Sequence, residues 1–207
     1  MSARAEAAAD ADGGATSSPL FAALAAELEA AGDRVSILDL GAANGTNIEY
    51  FGRMPCALHI ADAVGTLAAL RPETDPETGA VRTEPLEAAV RDELPAPAGG
   101  AFDLVLCWDL LNYLEGPVFA AFAAHLAPLL RKGTRVHALI WSQPRMPLAP
   151  ARFRILEPGR MAVEAGPAVR ECPRYTQRDL ERQLPGLRVQ RSMLLRSGVQ
   201  EYLFQAR

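Results

Sequence analysis

The sequence predicts an α/β fold with a doubly wound, mostly parallel β-sheet that closes in a C-terminal antiparallel hairpin. From about residue 20 to residue 141, apolar strand-like runs alternate with helical stretches, and this alternation is typical of parallel sheets. The last two strand-like runs, "LRVQRSMLLR" and "VQEYLFQAR", are separated only by "SG". So short a link joins antiparallel strands, because parallel neighbours need a long crossover. We therefore expect seven strands, of which the last two form the hairpin.

The individual elements have recognisable start and end signals. The first helix, "PLFAALAAELEAA", has Pro19 in its first turn and Gly32 at its end. The helix "GPVFAAFAAHLAPLLRKG" shows the same two signals, and "YTQRDLERQLPG" carries Thr176 and Asp179 at the spacing of a capping box. Strands are predicted where apolar runs are bounded by turn residues: at 35–40, 57–62, weakly near 80–84, at 101–108 and in "TRVHALIW".

The chain is expected to form a single domain over residues 19–207, preceded by a flexible tail at 1–18. The tail has no continuous apolar core, so it lacks the pattern of a signal peptide. Within the domain, the segment at about 142–175 is predicted to be an insertion. Its first part, "SQPRMPLAP", has three prolines in nine residues and is not expected to form regular structure. Its second part, "RFRILEPGRMAVE", predicts two short strands around a Pro-Gly turn.

Composition narrows the range of partners. Hydrophobic residues make up 49% of the chain and the net charge is -4, so there is no electrostatic argument for a nucleic-acid or membrane partner. No apolar run reaches the roughly 18–20 residues that a membrane span needs. Cys56, Cys107 and Cys172 are widely separated, which argues against a disulfide framework or a metal site. We therefore expect a cytoplasmic protein without a bound metal; nothing in the sequence indicates its oligomeric state.

Residues 35–47, "VSILDLGAANGTN", pass from a strand through a turn of small residues into a helix. Open α/β folds hold nucleotide-like ligands at such turns. Gly41 and Gly45 are expected to supply backbone conformations that a Cβ would restrict, and small residues such as Ala42 let the backbone approach a ligand. Asp39 ends the strand and can accept hydrogen bonds from amides of the turn.

Other candidate residues lie at the ends of neighbouring strands. Asp62 ends the second strand, where a carboxylate can accept hydrogen bonds from both hydroxyls of a ribose. Trp108 and Asp109 end the strand "AFDLVLCW", at the carboxyl edge where open α/β sheets bind ligands. Each has a structural alternative: Asp62 as a helix cap, Trp108 as a packing residue, and the nearby Tyr113 as a packing residue.

The ordered set "ILDLGAANG", "HIAD", "FDLVLCWDLLNYL", "TRVHALIW" and the closing hairpin resembles class I S-adenosylmethionine-dependent methyltransferases over about residues 20–207. This resemblance implies a Rossmann-like, seven-stranded sheet and S-adenosylmethionine as the cofactor. It also implies a methyl acceptor that is a small molecule or a protein. The implied cofactor-binding residues are Asp39, Gly41, Ala42, Gly45, Asp62 and Trp108. If the reaction uses a base, the location of these residues at the carboxyl edge of the sheet favours Asp109 first and Tyr113 second.

The sequence departs from the family pattern in two places. Ala43 stands where the commonest turn has its central glycine, and the acid usually found after the third strand has only Glu84 and Glu87 as candidates. These departures support an alternative, a non-catalytic protein of the same fold that binds a partner protein. A nicotinamide-dependent oxidoreductase fits less well because the motif G-x-G-x-x-G is missing, and a P-loop hydrolase is excluded because the turn has no lysine.

Overall fold

The computed structural model describes residues 15–95, 97 and 100–207. Within them the strands are β1 (Ala15–Ser17), β2 (Val35–Asp39), β3 (Cys56–Ile60), β4 (Phe102–Trp108), β5 (Leu130–Trp141), β6 (Arg145–Pro147), β7 (Arg152–Glu157), β8 (Arg160–Glu164), β9 (Val169–Glu171), β10 (Leu187–Leu194) and β11 (Val199–Ala206). The α-helices are α1 (Pro19–Ala31), α2 (Gly45–Phe51), α3 (Val64–Ala69), α4 (Thr83–Glu93), α5 (Gly116–Leu126) and α6 (Gln177–Gln183). Short 3-10 turns occupy Leu110–Asn112 and Ala127–Leu129.

The main sheet has six strands in the order β10–β11–β5–β4–β2–β3. The four strands β3, β2, β4 and β5 run parallel. Strand β11 pairs antiparallel with β5 on one side and with β10 on the other. The α/β class predicted from the sequence is therefore observed, and the sheet is mixed.

The strand predicted near residues 80–84 does not form. Val81 makes only an isolated bridge with Thr74, and helix α4 begins at Thr83. The stretch "TEPLEAAV" favours a helix start, because Glu84 lies in the first turn and proline is tolerated there. Within the described residues the main sheet thus has six strands, and not the seven expected, with β3 at its edge.

Helices and the inserted hairpin cover the two faces of the main sheet. On one face α3, α4, α5 and α6 pack around Phe119. On the other face α1, α2 and the hairpin formed by β7 and β8 pack around Phe21. Strand β4 serves both faces, with Leu106 on the hairpin side and Val105 on the other, because successive side chains alternate. Across the described residues, no helix is both long and apolar enough to cross a membrane.

The insertion contains more regular structure than the sequence predicted. Its hairpin forms as expected, with β7 and β8 antiparallel, and β1 adds a third strand to it. Ala15–Ser17 are therefore part of a sheet although they fall within the predicted tail; residues 1–14 lie outside the described residues. The Pro-rich stretch also forms a strand, since β6 pairs with β9. Proline is compatible with such a short edge strand, and Pro147 stands at its last position.

Glu201 on β11 connects the first helix to the sheet. Its buried carboxylate accepts hydrogen bonds from the backbone N–H groups of Leu20 and Phe21, at 3.1 and 3.0 Å, and from the Ser18 hydroxyl. His137 Nε2 on β5 lies 2.8 Å from the same carboxylate. Burial acts to raise the pKa of Glu201, but the hydrogen bonds outweigh burial and hold the pKa below its usual value. Glu201 thus satisfies N-terminal amides of α1, whose own N-cap side chain forms no capping bond.

Candidate functional site

The carboxyl ends of three neighbouring strands meet at one edge of the main sheet. Strands β4, β2 and β3 are adjacent and parallel, so the residues that follow them lie side by side. The turn after β2 is tied to both neighbours, because Leu40 N–H donates to Leu106 O and Ala61 N–H donates to Asp39 O. Asp39, Asp62 and Trp108, which come from three separate segments of the sequence, are thereby collected at this edge.

Asp39 is enclosed by its own turn. Its Oδ1 accepts a hydrogen bond from the backbone N–H of Gly41 at 2.9 Å and another from Trp108 Nε1 at 2.5 Å. Burial raises the pKa of Asp39 despite these bonds, and the negative charge of Asp62 adds to the rise. The carboxylate therefore fixes the turn and the indole together, and only 2% of the residue is exposed.

Gly41 is required because a side chain would collide with Trp108, and not because its backbone has a positive φ. A Cβ at this position would lie 2.5 Å from Trp108 Nε1 and 2.7 Å from Trp108 Cδ1. Neither Gly41 nor Gly45 has a positive φ, and a Cβ on Gly45 would meet nothing within 4 Å. The expectation that both glycines supply conformations denied to other residues is therefore wrong. Ala42 and Ala43 also avoid positive φ, so the methyl group of Ala43 does not strain the turn.

Trp108 is almost completely buried, with 1% of its surface exposed. Its ring stacks on Phe153 of β7, with centroids 5.3 Å apart and planes inclined by 8°. Its backbone has φ +49°, which bulky residues rarely adopt. The inserted hairpin thus covers the predicted cofactor residue Trp108 and, through it, the surface of Gly41.

Two asparagines of the turn and of α2 hold the hairpin in place. Asn47 Nδ2 donates to Phe153 O at 3.2 Å, and Asn47 Oδ1 accepts from Ile155 N–H at 2.8 Å. Asn44 caps α2 by accepting from Asn47 N–H, and its amide also donates to Phe153 O at 3.4 Å. Sequence reasoning missed this contact, since nothing in the "GTN" stretch indicates which distant strand an amide will meet.

Asp62 is the accessible acid of the site. It lies two residues after the end of β3, is exposed, and accepts no hydrogen bond from any residue that the structure describes. Its φ of +51° is a left-handed conformation that aspartate tolerates better than most residues. The N-cap of α3 is Ala63, without a side-chain capping bond, so Asp62 does not cap this helix. Its carboxylate therefore remains available to a ligand.

Asp109 and Tyr113, the two candidate catalytic residues, are both buried beneath the insertion. Asp109 Oδ2 accepts from Ala151 N–H at 3.0 Å, while Oδ1 is buried without a partner among the described residues. Burial raises the pKa of Asp109 to about 7. The Tyr113 hydroxyl donates to Pro147 O or Ala149 O, and burial raises its pKa above the usual value. Asp109 Oδ1 thus has no well-aligned donor, although the side chains of Trp141 and Tyr113 lie close enough to oppose the rise in the pKa of Asp109. The Tyr113 proton is already used.

Three of the six arginines of the insertion form ion pairs with acids of the described chain, and one of these is Arg160 with Glu157. Arg154 pairs with Glu164, and Arg170 pairs with Glu115 across to the main domain. Among the described residues, no three His, Cys, Asp or Glu side chains converge as metal ligands would.

The chain can be compared with solved structures by its mixed sheet, the small-residue turn after β2 and the acid after β3. A S-adenosylmethionine-dependent methyltransferase from Clostridium acetobutylicum is similar in structure, with 13% identity, coverage of 97% of this chain and 94% of that one, and a TM-score of 0.50. At this identity the likeness shows the fold, and the resemblance inferred from the sequence is confirmed at that level.

Two further solved structures are similar but more distant in shape. One is 1,6-didemethyltoxoflavin-N1-methyltransferase from Burkholderia thailandensis, solved with 1,6-didemethyltoxoflavin and S-adenosylhomocysteine: 19% identity, 89% of this chain, 76% of that chain, TM-score 0.48. The other is an amino pentose methyltransferase from Micromonospora echinaspora with bound S-adenosylmethionine: 16% identity, 91% of each chain, TM-score 0.45. No family model matches the chain, and no curated protein matches its sequence.

Proposed function

We propose that the chain binds S-adenosylmethionine at the edge formed by β4, β2 and β3 and transfers its methyl group to a small-molecule or protein acceptor. The observation that carries this proposal is Asp62, an exposed carboxylate without a partner among the described residues, beside the small-residue turn. When bound, the cofactor supplies a methyl group already activated by a sulfonium, so the chain mainly aligns the reactants and excludes water. We place this activity in the cytoplasm, in line with three free cysteines.

We propose that the ribose part of the cofactor binds at Asp62, which is exposed. Asp62 can accept hydrogen bonds from two adjacent hydroxyls, and its carboxylate has no competing bond within the described chain. The left-handed backbone conformation of Asp62 sets the direction in which its side chain leaves the chain.

The remainder of the cofactor site is closed. The resemblance to the methyltransferase family implies that the methionine part of the cofactor lies beside Asp39 and Trp108. In this structure Asp39 Oδ1 already accepts hydrogen bonds from Gly41 N–H and Trp108 Nε1, and Phe153 covers the indole. We propose that the β7–β8 hairpin moves away from α2 when the cofactor binds. The bonds that must break are those of Asn47 to Phe153 O and Ile155 N–H, and that of Asn44 to Phe153 O.

Asp109 is the residue we propose as proton acceptor. A pKa of about 7 places it in the range of an effective base near neutral pH, and Oδ1 has no well-aligned donor in the described chain. Its Oδ2 is held by Ala151 N–H, so the carboxylate is already oriented. Movement of the insertion that exposes Trp108 would also uncover Asp109, because Ala151 immediately precedes β7. The bound cofactor and acceptor must then exclude water again, because burial is what raises the pKa of Asp109.

Calorimetric titration of the whole chain with S-adenosylmethionine and S-adenosylhomocysteine tests the proposal. We expect saturable binding of both, and roughly 10- to 100-fold weaker binding in Asp62→Asn, because charged hydrogen bonds to the hydroxyls are lost. Asparagine is the appropriate replacement, since it also tolerates a left-handed backbone.

The matched control is Asp33→Asn, which removes an exposed acid at the opposite, amino end of β2. We expect it to leave both affinities unchanged. Binding that is equal in wild type and Asp62→Asn would show that Asp62 does not hold the ribose. Absence of binding by either compound would exclude the methyltransferase function.

The closed site also favours a second candidate, a non-catalytic protein that binds a partner. The specific observation is that Trp108 and Phe153 fill the space over Gly41, so that the turn needs no ligand to be stable. This candidate predicts no binding of S-adenosylmethionine even in Phe153→Ala, in which the stacked ring is removed. The methyltransferase proposal predicts that Phe153→Ala retains binding.

A further inference from the structure

A cavity of about 420 Å³ opens between the end of α3, the connection from β4 to α5, and the inserted strand β9. Its apolar walls include Leu70 and Val118, and Tyr113 lines it as well. The volume lies within the roughly 300–1,000 Å³ typical of small-molecule sites. The cavity reaches the proposed active site through Tyr113, whose side chain interacts with that of Asp109. Leu70 lies at the end of α3 that is away from Asp62.

Arg71 contributes a guanidinium that is held but not neutralised. Its Nη1 donates to Ala68 O at 3.0 Å and to Leu70 O at 2.7 Å, at the end of α3. In the described part of the chain, no carboxylate lies within salt-bridge distance of Arg71. One nitrogen thus anchors the group, and the remaining donors of the planar fork are available to an anion.

Arg170 contributes a second guanidinium from β9. Its Nη2 lies 2.5 Å from Glu115 Oε1, and the Glu115 side chain is 56% exposed. Of the described residues that line the cavity, Glu115 is the only acid, against two arginines. The cavity is therefore locally positive in a chain whose net charge is -4.

We infer that this cavity binds the methyl acceptor, and that the acceptor is a small molecule with an apolar body and an anionic group, a carboxylate or a phosphate. The anion is bound by Arg71 and Arg170, while Leu70, Val118 and Tyr113 contact the apolar part. This inference rests on the proposed function, since it names the substrate class of the same site. Arginine suits the task because its fork pairs with carboxylate and phosphate oxygens two at a time.

The experiment uses the whole chain and four simple probes, followed by chemical shifts of backbone amides in NMR titrations. The probes are 4-hydroxyphenylacetate, its neutral amide, phenyl phosphate and phenol. We expect at least one anionic probe to bind roughly tenfold or more tightly than its neutral counterpart, with shifts at the cavity. The carboxylate and phosphate arms show which anion the site prefers.

Variants identify the residues. We expect Arg71→Gln and Arg170→Gln each to weaken anion binding roughly tenfold, and Arg71→Lys to weaken it less, because charge is kept while the fork is lost. The control is Arg82→Gln, an exposed arginine outside the cavity that pairs with Glu73; its affinity should equal that of the wild type. Melting curves check that Arg71→Gln still folds, and Arg170→Gln tests the site without touching the end of α3.

Several results would overturn the inference: equal binding of charged and neutral probes, unchanged affinity in both glutamine variants, or no saturable shifts with millimolar anion. Each titration is repeated with S-adenosylhomocysteine. If that compound does not bind but the anion does, the proposed function fails and the anion site stands. If S-adenosylhomocysteine binds and the anions do not, the inference fails and the proposed function stands.

Discussion

Trp108 shows how a single residue shapes the whole candidate site. A left-handed backbone costs a non-glycine residue about 1–2 kcal/mol. The cost at Trp108 is offset by its bond to Asp39 Oδ1 and by stacking on Phe153. These contacts place the indole against Gly41. The identity of Gly41 is therefore explained by the ring that it accommodates.

The first prediction concerns this contact. Gly41→Ala would place a methyl group 2.5 Å from Trp108 Nε1, so the indole must shift away from both Asp39 and Phe153. We expect the free energy of unfolding, measured by urea denaturation, to fall by about 1–3 kcal/mol. Gly45→Ala is the matched control, because its methyl group would meet nothing and alanine favours the helix. An equal effect of the two substitutions would contradict the packing role assigned to Gly41.

For single residues, the sequence predicted the position at a strand end better than the contacts of the side chain. Asp39, Asp62 and Trp108 could be placed at strand ends because apolar runs reveal where buried strands stop. The stacking of Trp108 on Phe153 could not be predicted, since it depends on how a distant hairpin packs. For the same reason the space needed at Gly41 was mistaken for a requirement on its backbone angle.

Among the elements, the β7–β8 hairpin has the most influence on the site. Its two strands were predictable from a Pro-Gly turn between apolar runs. Its docking was not, because it depends on Asn47, whose side chain bonds to two backbone groups of β7. An asparagine near a helix start is usually interpreted as a local capping residue, and here Asn44 fills that role.

The second prediction tests the docking. In Asn47→Ala the N–H of Ile155 loses its acceptor, and leaving a buried donor unsatisfied costs about 1–3 kcal/mol. We expect faster hydrogen exchange of the Ile155 amide, by roughly tenfold or more, with little change at Leu38 in the centre of the main sheet. Ile48→Ala on the exposed side of the same helix is the control. Unchanged exchange at Ile155 would mean that other contacts hold the hairpin.

At the scale of the whole molecule, the sheet agrees with the sequence-based prediction except at one edge, where, among the described residues, β3 has no further strand beside it. Alternating apolar runs and helices were enough to predict the α/β class and the parallel strands. The strand expected near residues 80–84 does not form, because the helix-start signals around Glu84 and Pro85 outweigh the weakly apolar character of that stretch. Buried acids such as Glu201 were also missed, since an acid within a strand carries no sequence signal of its partners.

Two buried carboxylates give the molecule opposite responses to pH. Asp109 faces Ala151, Trp141 and Tyr113, and its pKa is raised from 3.8 to about 7 by burial. Between pH 3.8 and about pH 7, Asp109 is protonated in the folded state and ionised in the unfolded state. The free energy of unfolding therefore falls as the pH rises through this range. Glu201 is different: its pKa is lowered, so its contribution is present above its ordinary value of 4.5 and is lost as pH falls through the lowered pKa.

The third prediction follows from these signs. We expect the free energy of unfolding, measured by urea denaturation from pH 3 to pH 8, to be greatest on the acidic side of neutrality. In Asp109→Asn the decline between about pH 4 and pH 7 should become shallower, by an amount on the order of 4 kcal/mol for a shift of about three pKa units. Some decline should remain, because burial also raises the pKa of Asp39.

Glu201→Gln should instead lose the dependence of the unfolding free energy on pH at acidic pH. The exposed control Asp33→Asn should keep the shape of the wild-type curve. A wild-type curve that rises from pH 4 to pH 7 and is unchanged in Asp109→Asn would show that Asp109 is ionised without penalty, and would remove the reason for proposing it as a base near neutral pH.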